Sequence, residues 1–591
     1  MSIQIGEVIS VSGVRVVLKI FEQASKDTLF YNGEKYKGIS IREYLTIRRG
    51  FRDIVSMVEG EHLDENKYEN DNDKIIYTRK VEVRPIGYFQ DNQFFEGIKY
   101  LPMIKDPAYL TSESIITDIY GSSTESSFVI GEMLKEGLPV SLPWTRLFNT
   151  HVGIFGNTGS GKSNTLAKLY TTLFSNKREV LRNKSQFAVI DFNGEYTNNQ
   201  LIDGNDKNVI DLNTRDDDGD RFPLVETEFW NKETLSILFK ATANTQAPFI
   251  NRLINGRERY GGGIGRLENY IRKTFKRTFT STSPKRETAE LLKSIADIID
   301  ADDLKAKLGS LVWWGGQQNK FCYPQQPQDV FFNGEEHEYN QVFLADVNAI
   351  NIQGIDAFDE LIIRVNLQLV NDLLYGYVQF EHIQPLLKRI ESSVVALRRV
   401  IGVIRQVEAS SVLTVISLRK CNQEIKKVVP LLLAKHYYEQ HKQSVENPAD
   451  KTLHLIIDEA HNILSEQSMR EQESWKDYRL ELFEEIIKEG RKFGMFLTLS
   501  SQRPADISPT IMSQIHNFFI HRLVNDKDLF LLDNTISTLD SLSKSMIPNL
   551  AKGCCIVIGT SFDLPLVMQV DLMATEHQPD SEDVDLKELW S

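Results

Sequence analysis

Nine residues constrain this chain more than any others: GNTGSGKSN, Gly156 to Asn164, directly after the apolar run HVGIF and directly before the helical pattern NTLAKLYTTLF. Gly156, Gly161, Lys162 and Ser163 satisfy G-x-x-x-x-G-K-[ST], and the motif has the strand–loop–helix context that gives it meaning. The glycines let the backbone N–H groups of the loop, from Gly156 through Asn157, Thr158, Gly159 and Ser160 to Asn164, close round phosphate oxygens. The helix N-terminus adds a partial positive charge. A chain that opens this way is expected to build an open, mostly parallel α/β sheet.

The rest of the sequence supplies such a sheet. Short apolar runs at FAVIDF (187–192), VLTVISL (412–418), LHLIID (453–458) and FLTLS (496–500) are separated by long helical patterns. Residues 140–225 and 411–575 are therefore assigned to an α/β core. Residues 1–135 alternate apolar and polar side chains with glycines at 6 and 13, the pattern of a small twisted or barrel sheet. Residues 226–410 read as a mostly helical insertion, with one further strand expected at VFLADV (342–347) and an α/β unit around it. The acidic tail 576–591 is expected to be mobile, with Leu586, Leu589 and Trp590 available to dock.

The phosphate loop defines the rest of a nucleotide site. Lys162 is the candidate to reach the β- and γ-phosphates of ATP, and Ser163 to give its hydroxyl to Mg²⁺. LHLIIDEAHN supplies the acids of a second strand tip: Asp458 for Mg²⁺ through water, and Glu459 as general base for the attacking water. The same tetrapeptide also suits a helix N-cap at Asp458, which does not exclude catalysis. FAVIDFNGEY puts Asp191 and Glu195 beyond another tip, either near the γ-phosphate, at a subunit contact, or in a plain acidic turn. FLTLSSQRP puts Gln502 where a γ-phosphate sensor belongs.

Taken together, GNTGSGKSN, DFNGEY, LIIDEAHN and EGRKFGMFLTLSSQRPADISPTIMSQIHNFFIHRL resemble the HerA branch of the HerA/FtsK superfamily of ring ATPases. GEVISVSGVRVVL is similar to the family's N-terminal barrel, and LAKGCCIVIGTSFDLPLVMQV to its closing strands. The resemblance implies a RecA-like P-loop core and a homohexameric, ATP-driven translocase or helicase on double-stranded DNA, with ATP between neighbouring subunits. It makes Arg491 the candidate finger inserted into a neighbour's site, with Lys492 able to share the role. The competing reading is a pair of cations that merely meet a helix dipole. It further implies an effector, a nuclease or a sirtuin-like enzyme, docked on the barrel, and permits a place in DNA processing or antiviral defence. An ATP-gated scaffold that activates such an effector is the alternative. A secretion or conjugation ATPase is disfavoured by the barrel and by the absence of a membrane segment.

A formal net charge of −14 over 591 residues does not by itself suit nucleic acid. Its distribution does. Between 251 and 286 the chain carries ten Lys or Arg against two Glu, interleaved with Tyr260, Tyr270, Phe275 and Phe279. Arg257, Arg259, Arg266, Arg272 and Lys273 are the candidate phosphate contacts lining a basic channel inside an acidic ring. A solvated helix or a dock for an acidic partner is the other reading of this stretch. A second cluster, Lys388, Arg389, Arg398 and Arg399, is weaker. Four cysteines, at 322, 421, 554 and 555, form no C-x-x-C pair, which argues against structural zinc and suits a reducing compartment. No apolar run approaches the roughly 20 residues of a membrane helix, and no signal peptide is visible, so a cytoplasmic location is expected.

Overall fold

The computed structural model describes residues 3–31, 34–67, 75–91, 93–120, 127–260, 263–315, 319–406, 411–466, 473–562, 564–581 and 589–590. Its first strands, Gln4–Ser12 and Arg15–Ile20, turn on Gly13, which has φ of +60°. Their alternation puts Ile5, Val8, Val16 and Leu18 inward, where they meet Leu45, Ile47, Ile54, Val58, Val81, Val83 and Ala108. The order Arg15–Ile20, Gln4–Ser12, Pro107–Leu110, Tyr44–Arg49, Arg52–Lys67, Ile75–Gln90 closes on itself through Val16↔Val83 and its neighbours. This is the expected barrel, and closure removes its free edges. It ends earlier than expected: Ser127–Met133 is already part of the core sheet.

That core sheet has eleven strands. Its parallel centre runs in the order Asn517–Ile520, Val152–Phe155, Met495–Ser501, Thr452–Ile457, Ser185–Asp191, Leu413–Lys420, Lys207–Asn213. The five runs anticipated as strands are all here. The edge strand Lys207–Asn213 was not anticipated, because its alternating KNVIDLN is too polar to read as buried. At the other edge Cys554–Gly559, Leu566–Val570, Ser127–Met133 and Pro139–Pro143 extend the sheet antiparallel. Register aligns the carboxyl ends: Phe155 pairs with Ser501 and with Ile520, and Ile457 with Ile190 and Leu499. Ligand sites of open α/β sheets lie at these ends.

Residues 226–410 are not a separate body. Their long helices, among them Gln246–Tyr260, Ile264–Phe279, Ala357–Leu374 and Phe380–Val400, share one apolar core with a face of the sheet. Phe222–Val225 and Ile401–Ile404 pair in parallel where the insertion leaves and rejoins. The expected strand at VFLADV is absent: Glu336–Val342 and Leu344–Asn348 are helices, broken at Phe343. The capping box of Glu335 and Glu338 starts the first of them, and this local signal outweighs the apolar run. The acidic tail is also not wholly free. Residues as far as Asp580 dock on the core, as detailed below, while Leu589 and Trp590 are exposed and Leu586 lies outside the described residues. No described helix is long and apolar enough to cross a membrane.

Candidate nucleotide site

The loop Gly156–Gly161 leaves the strand Val152–Phe155 and enters the helix Lys162–Lys184, whose N-cap is Gly161. Gly161 has φ of +112°, and a Cβ there would stand 2.9 Å from Gly553 Cα. A Cβ on Gly156 would stand 2.5 Å from His521 Cβ. The loop is thus propped from behind by two neighbouring strand ends. Gly553 N–H donates to Ser160 O (2.9 Å), and Asn157 N–H donates to Arg522 O (2.8 Å). His521 Nε2 sits 3.0 Å from Thr165 Oγ1. Burial holds the His521 imidazole neutral, with its pKa lowered to about 3. Lys162 is buried and its ammonium donates to Asn157 O across the loop at 3.4 Å.

The strand Met495–Ser501 lies between the phosphate-loop strand and the strand that ends before Asp458. Gln502, at its tip, therefore stands between the two halves of the site. Thr158 Oγ1 donates to Gln502 Oε1 at 2.5 Å. The Gln502 backbone N–H is among the groups that favour the charged Glu459 carboxylate. Glu459 has φ of +48°, a left-handed conformation that costs energy for a side chain of this type. Desolvation raises its pKa, but His461, Lys162 and the Gln502 N–H outweigh that, and the net value is lowered. Glu459 is thus ionised at neutral pH. His461 Nδ1 lies 3.3 Å from Glu459 Oε2 and 3.2 Å from Ser501 Oγ.

Asp458 differs from its neighbour. It is 2 % exposed, and burial, reinforced by Glu195, Asp191 and Glu459, raises its pKa well above the ordinary value. Its Oδ2 has no partner among the described residues. Such an atom is costly unless a cation or donor meets it. A cradle of N–H groups, the Ser163 hydroxyl and an unpartnered carboxylate oxygen fit a nucleotide with Mg²⁺, which keeps most of its waters and asks for few protein ligands. Consistent with that, no group of three or more His, Cys, Asp or Glu among the described residues forms a metal cage of its own.

Two further features escaped the sequence reading. The chain after Val570 straps over the site: Asn164 Nδ2 donates to Asp571 O (3.0 Å), Met573 N–H donates to Asn164 Oδ1 (3.0 Å), and Asp580 N–H donates to Glu195 O (3.0 Å). The second feature is His516. Arg491 is exposed, on the turn Gly490–Phe493 before Met495–Ser501, and its Nη1 donates to His516 Nε2 at 2.6 Å. Arg491 therefore sits at the opposite end of that seven-residue strand from Gln502, roughly 20 Å from its own phosphate loop. Lys492 pairs with Glu489 (3.1 Å) and is exposed.

The basic stretch is only partly available. Arg257 pairs with Glu226 and Glu360 and stacks on Trp230, 4.4 Å from the ring centroid. Arg272 donates to Val347 O and Ile350 O and pairs with Glu268. These two serve the insertion's own packing rather than an open surface. Tyr270, Phe275 and Phe279 are buried in the core, and Tyr260's side chain lies outside the described residues. Arg259, Arg266 and Lys273 are exposed. In the second cluster Lys388 pairs with Glu391, Arg398 with Asp356 and Asp359, and Arg399 with Asp217, while Arg389 binds Phe239 O.

A parallel sheet with this phosphate loop at one strand tip, paired acids at another and a glutamine between them defines a P-loop ATPase. Residues 128–308 match the family described as helicase HerA, central domain. The chain is 23% identical over 564 residues to a probable DNA double-strand break repair helicase HerA of Methanocaldococcus jannaschii, covering 92% of this chain and 93% of that one. It is 21% identical over 481 residues to the DNA double-strand break repair helicase HerA of Sulfurisphaera tokodaii, covering 80% and 74%. Among solved structures, the bacterial conjugative coupling protein TrwB aligns at 12% identity over 80% of this chain and 94% of its own, with a TM-score of 0.41. The chain is thus similar to HerA helicases over most of its length, and its residues 128–308 match the family's central domain.

Proposed function

We propose that this chain is an ATP-driven motor on double-stranded DNA that works as a ring of six copies, with ATP held between neighbours. The observation that carries the reading is Arg491. An exposed guanidinium at the end of the sheet opposite its own nucleotide loop has no use in that loop, which supports a role as a finger for a neighbour's nucleotide. The printed names of the relatives, DNA double-strand break repair helicases, support the DNA part.

In this mechanism the N–H groups from Gly156 to Asn164 hold the phosphates and Lys162 bridges the β- and γ-oxygens. Ser163 and Asp458 would hold Mg²⁺, which would supply positive charge for the phosphates. Glu459, ionised, takes the proton of the attacking water. Arg491 of a neighbour meets the charge that develops on the γ-phosphoryl group, a contribution of about 10³–10⁵ in rate for fingers of this kind. Gln502 registers whether the γ-phosphate is present and passes its loss to the loops beyond Arg503. Arg259, Arg266 and Lys273 contact DNA phosphates.

An effector, a nuclease or a sirtuin-like enzyme, docks on the barrel, whose exposed Phe51, Met103 and Ile104 offer apolar anchors. The setting is cytoplasmic DNA processing or antiviral defence. The test is steady-state ATP hydrolysis by the purified chain with and without linear duplex DNA, with Lys162→Ala as the blank. Strong stimulation is expected. Hydrolysis indifferent to DNA would overturn the motor reading in favour of an ATP-gated scaffold.

A further inference from the structure

The segment Asp191–Tyr196 carries two acids with different fates. Asp191 is fully occupied by its own backbone. Its Oδ1 accepts from the N–H groups of Asn193 (3.1 Å) and Gly194 (2.7 Å), and its Oδ2 accepts from Tyr196 N–H (2.9 Å). It ties the turn and has little left to offer a ligand. Glu195 is held differently. Its main chain is pinned by Asp580 N–H, and its Oε1 accepts from Asn193 Nδ2 (3.2 Å). Its Oε2 is buried without a partner, in a residue only 8 % exposed.

The surroundings of that oxygen point to a ligand. Burial raises the Glu195 pKa, the Ser163 and Asn193 side chains oppose that, and the charges of Asp191 and Glu459 add to it. Asp458, whose Oδ2 is likewise buried with no partner among the described residues, stands at the tip of the neighbouring parallel strand, its N–H donating to Ile190 O (3.1 Å). Two orphan carboxylate oxygens thus come from the tips of adjacent strands beside the phosphate loop. The Lys162 ammonium is turned to Asn157 O. Without a further cation the arrangement is repulsive.

We propose that Glu195 is a positioning residue for the nucleotide's Mg²⁺, accepting hydrogen bonds from the ion's water shell alongside Asp458. This rests on the ATP–Mg²⁺ reading of the site. Mg²⁺ dehydrates reluctantly, so carboxylates that hold its waters fix it as effectively as direct ligands do.

The experiment is titration of the full-length protein with Mn²⁺ in the presence of ATPγS, followed by electron paramagnetic resonance of the free ion. Glu195→Gln keeps size and hydrogen bonding and removes the charge. It is expected to weaken Mn²⁺ binding about 10–100-fold, the usual cost of an outer-shell partner. Binding of metal-free nucleotide in EDTA, and ligand-free melting, should stay as in wild type. Glu195→Asp, retracting the carboxylate by one methylene, should fall between, and stands in if the glutamine variant does not fold. Unchanged Mn²⁺ affinity in Glu195→Gln, with Asp458→Asn strongly weakened, overturns the role of Glu195 alone. Unchanged affinity in both overturns the Mg²⁺ reading beneath it.

Discussion

The Thr158 hydroxyl of the phosphate loop donates to the Gln502 carboxamide oxygen, and the backbone N–H of the same Gln502 helps to keep Glu459 charged. One residue thus acts on both the loop that grips phosphate and the proposed base. Gln502→Ala should leave ATP affinity within about threefold and lower kcat by roughly 10²–10³, in the range of losing one preorganised polar contact in a transition state. Thr158→Val should give a smaller loss of the same kind. A parallel fall in affinity and kcat, measured by nucleotide titration and steady-state hydrolysis, would instead mean that Gln502 only shapes the loop.

Arg491 and Lys162 belong to opposite ends of the sheet, so their losses should complement. Arg491→Ala and Lys162→Ala subunits, each inactive alone, should recover hydrolysis when mixed, because some interfaces then combine an intact loop with an intact finger. His516, which accepts from Arg491, must carry its proton on Nδ1 to do so. His516→Ala should lower kcat severalfold without changing nucleotide affinity, and His516→Gln should recover part of it. Mixed rings that assemble and stay inactive would rule out action between subunits.

The paired and the exposed cations of the insertion should separate cleanly. Replacing Arg259, Arg266 and Lys273 by Glu should abolish DNA stimulation of hydrolysis and flatten its salt dependence, with melting little changed. Arg257→Ala should do the reverse. It removes the partner of two carboxylates and a cation over Trp230, at about 2 kcal/mol, visible as a drop in melting temperature.

Acid should destabilise the fold through His454. This ring is wholly buried, stacks on Phe187 at 4.6 Å, and is held neutral with its pKa lowered to about 3. The unfolded chain protonates the same group near 6.5. The folded state is therefore favoured fully above that value and loses ground as pH falls through it. Between pH 7.5 and 5.5 the loss from this one group is about 1.4 kcal/mol. His454→Phe should remove that increment, so the difference in stability between variant and wild type should shift by that amount across the window in denaturant titrations.

What the sequence revealed and what it withheld follow from the range of the forces involved. GNTGSGKSN and the buried strands are local signals, written in glycine positions and apolar runs, and the structure carries them where the spacing puts them. The positions of Gln502 and Arg491 at opposite ends of one strand were equally legible, since both flank the same apolar run. The proximity of Gly553 and His521 to the loop was not, because they come from strands far along the chain and only sheet order brings them together. Their signals, HRL after one strand and a lone glycine before CCIVIG, have a meaning only in three dimensions. The basic stretch misled for a related reason. Charge density in sequence does not tell a cation that faces solvent from one that neutralises Glu360 across a helix pair. VFLADV misled because a capping box upstream decided its conformation.

The strap that ends at Asp580 has a mechanical consequence. Asp571 N–H is bound to Ile130 O, on the strand that leads out of the barrel, and the same strap grips Glu195 at its far end. The nucleotide site and the root of the barrel are therefore joined by a short tether as well as by the sheet. A displacement of the Phe192–Tyr196 turn during turnover would pull on the barrel's attachment. A load applied to the barrel would be felt, in return, at the phosphate end of the molecule.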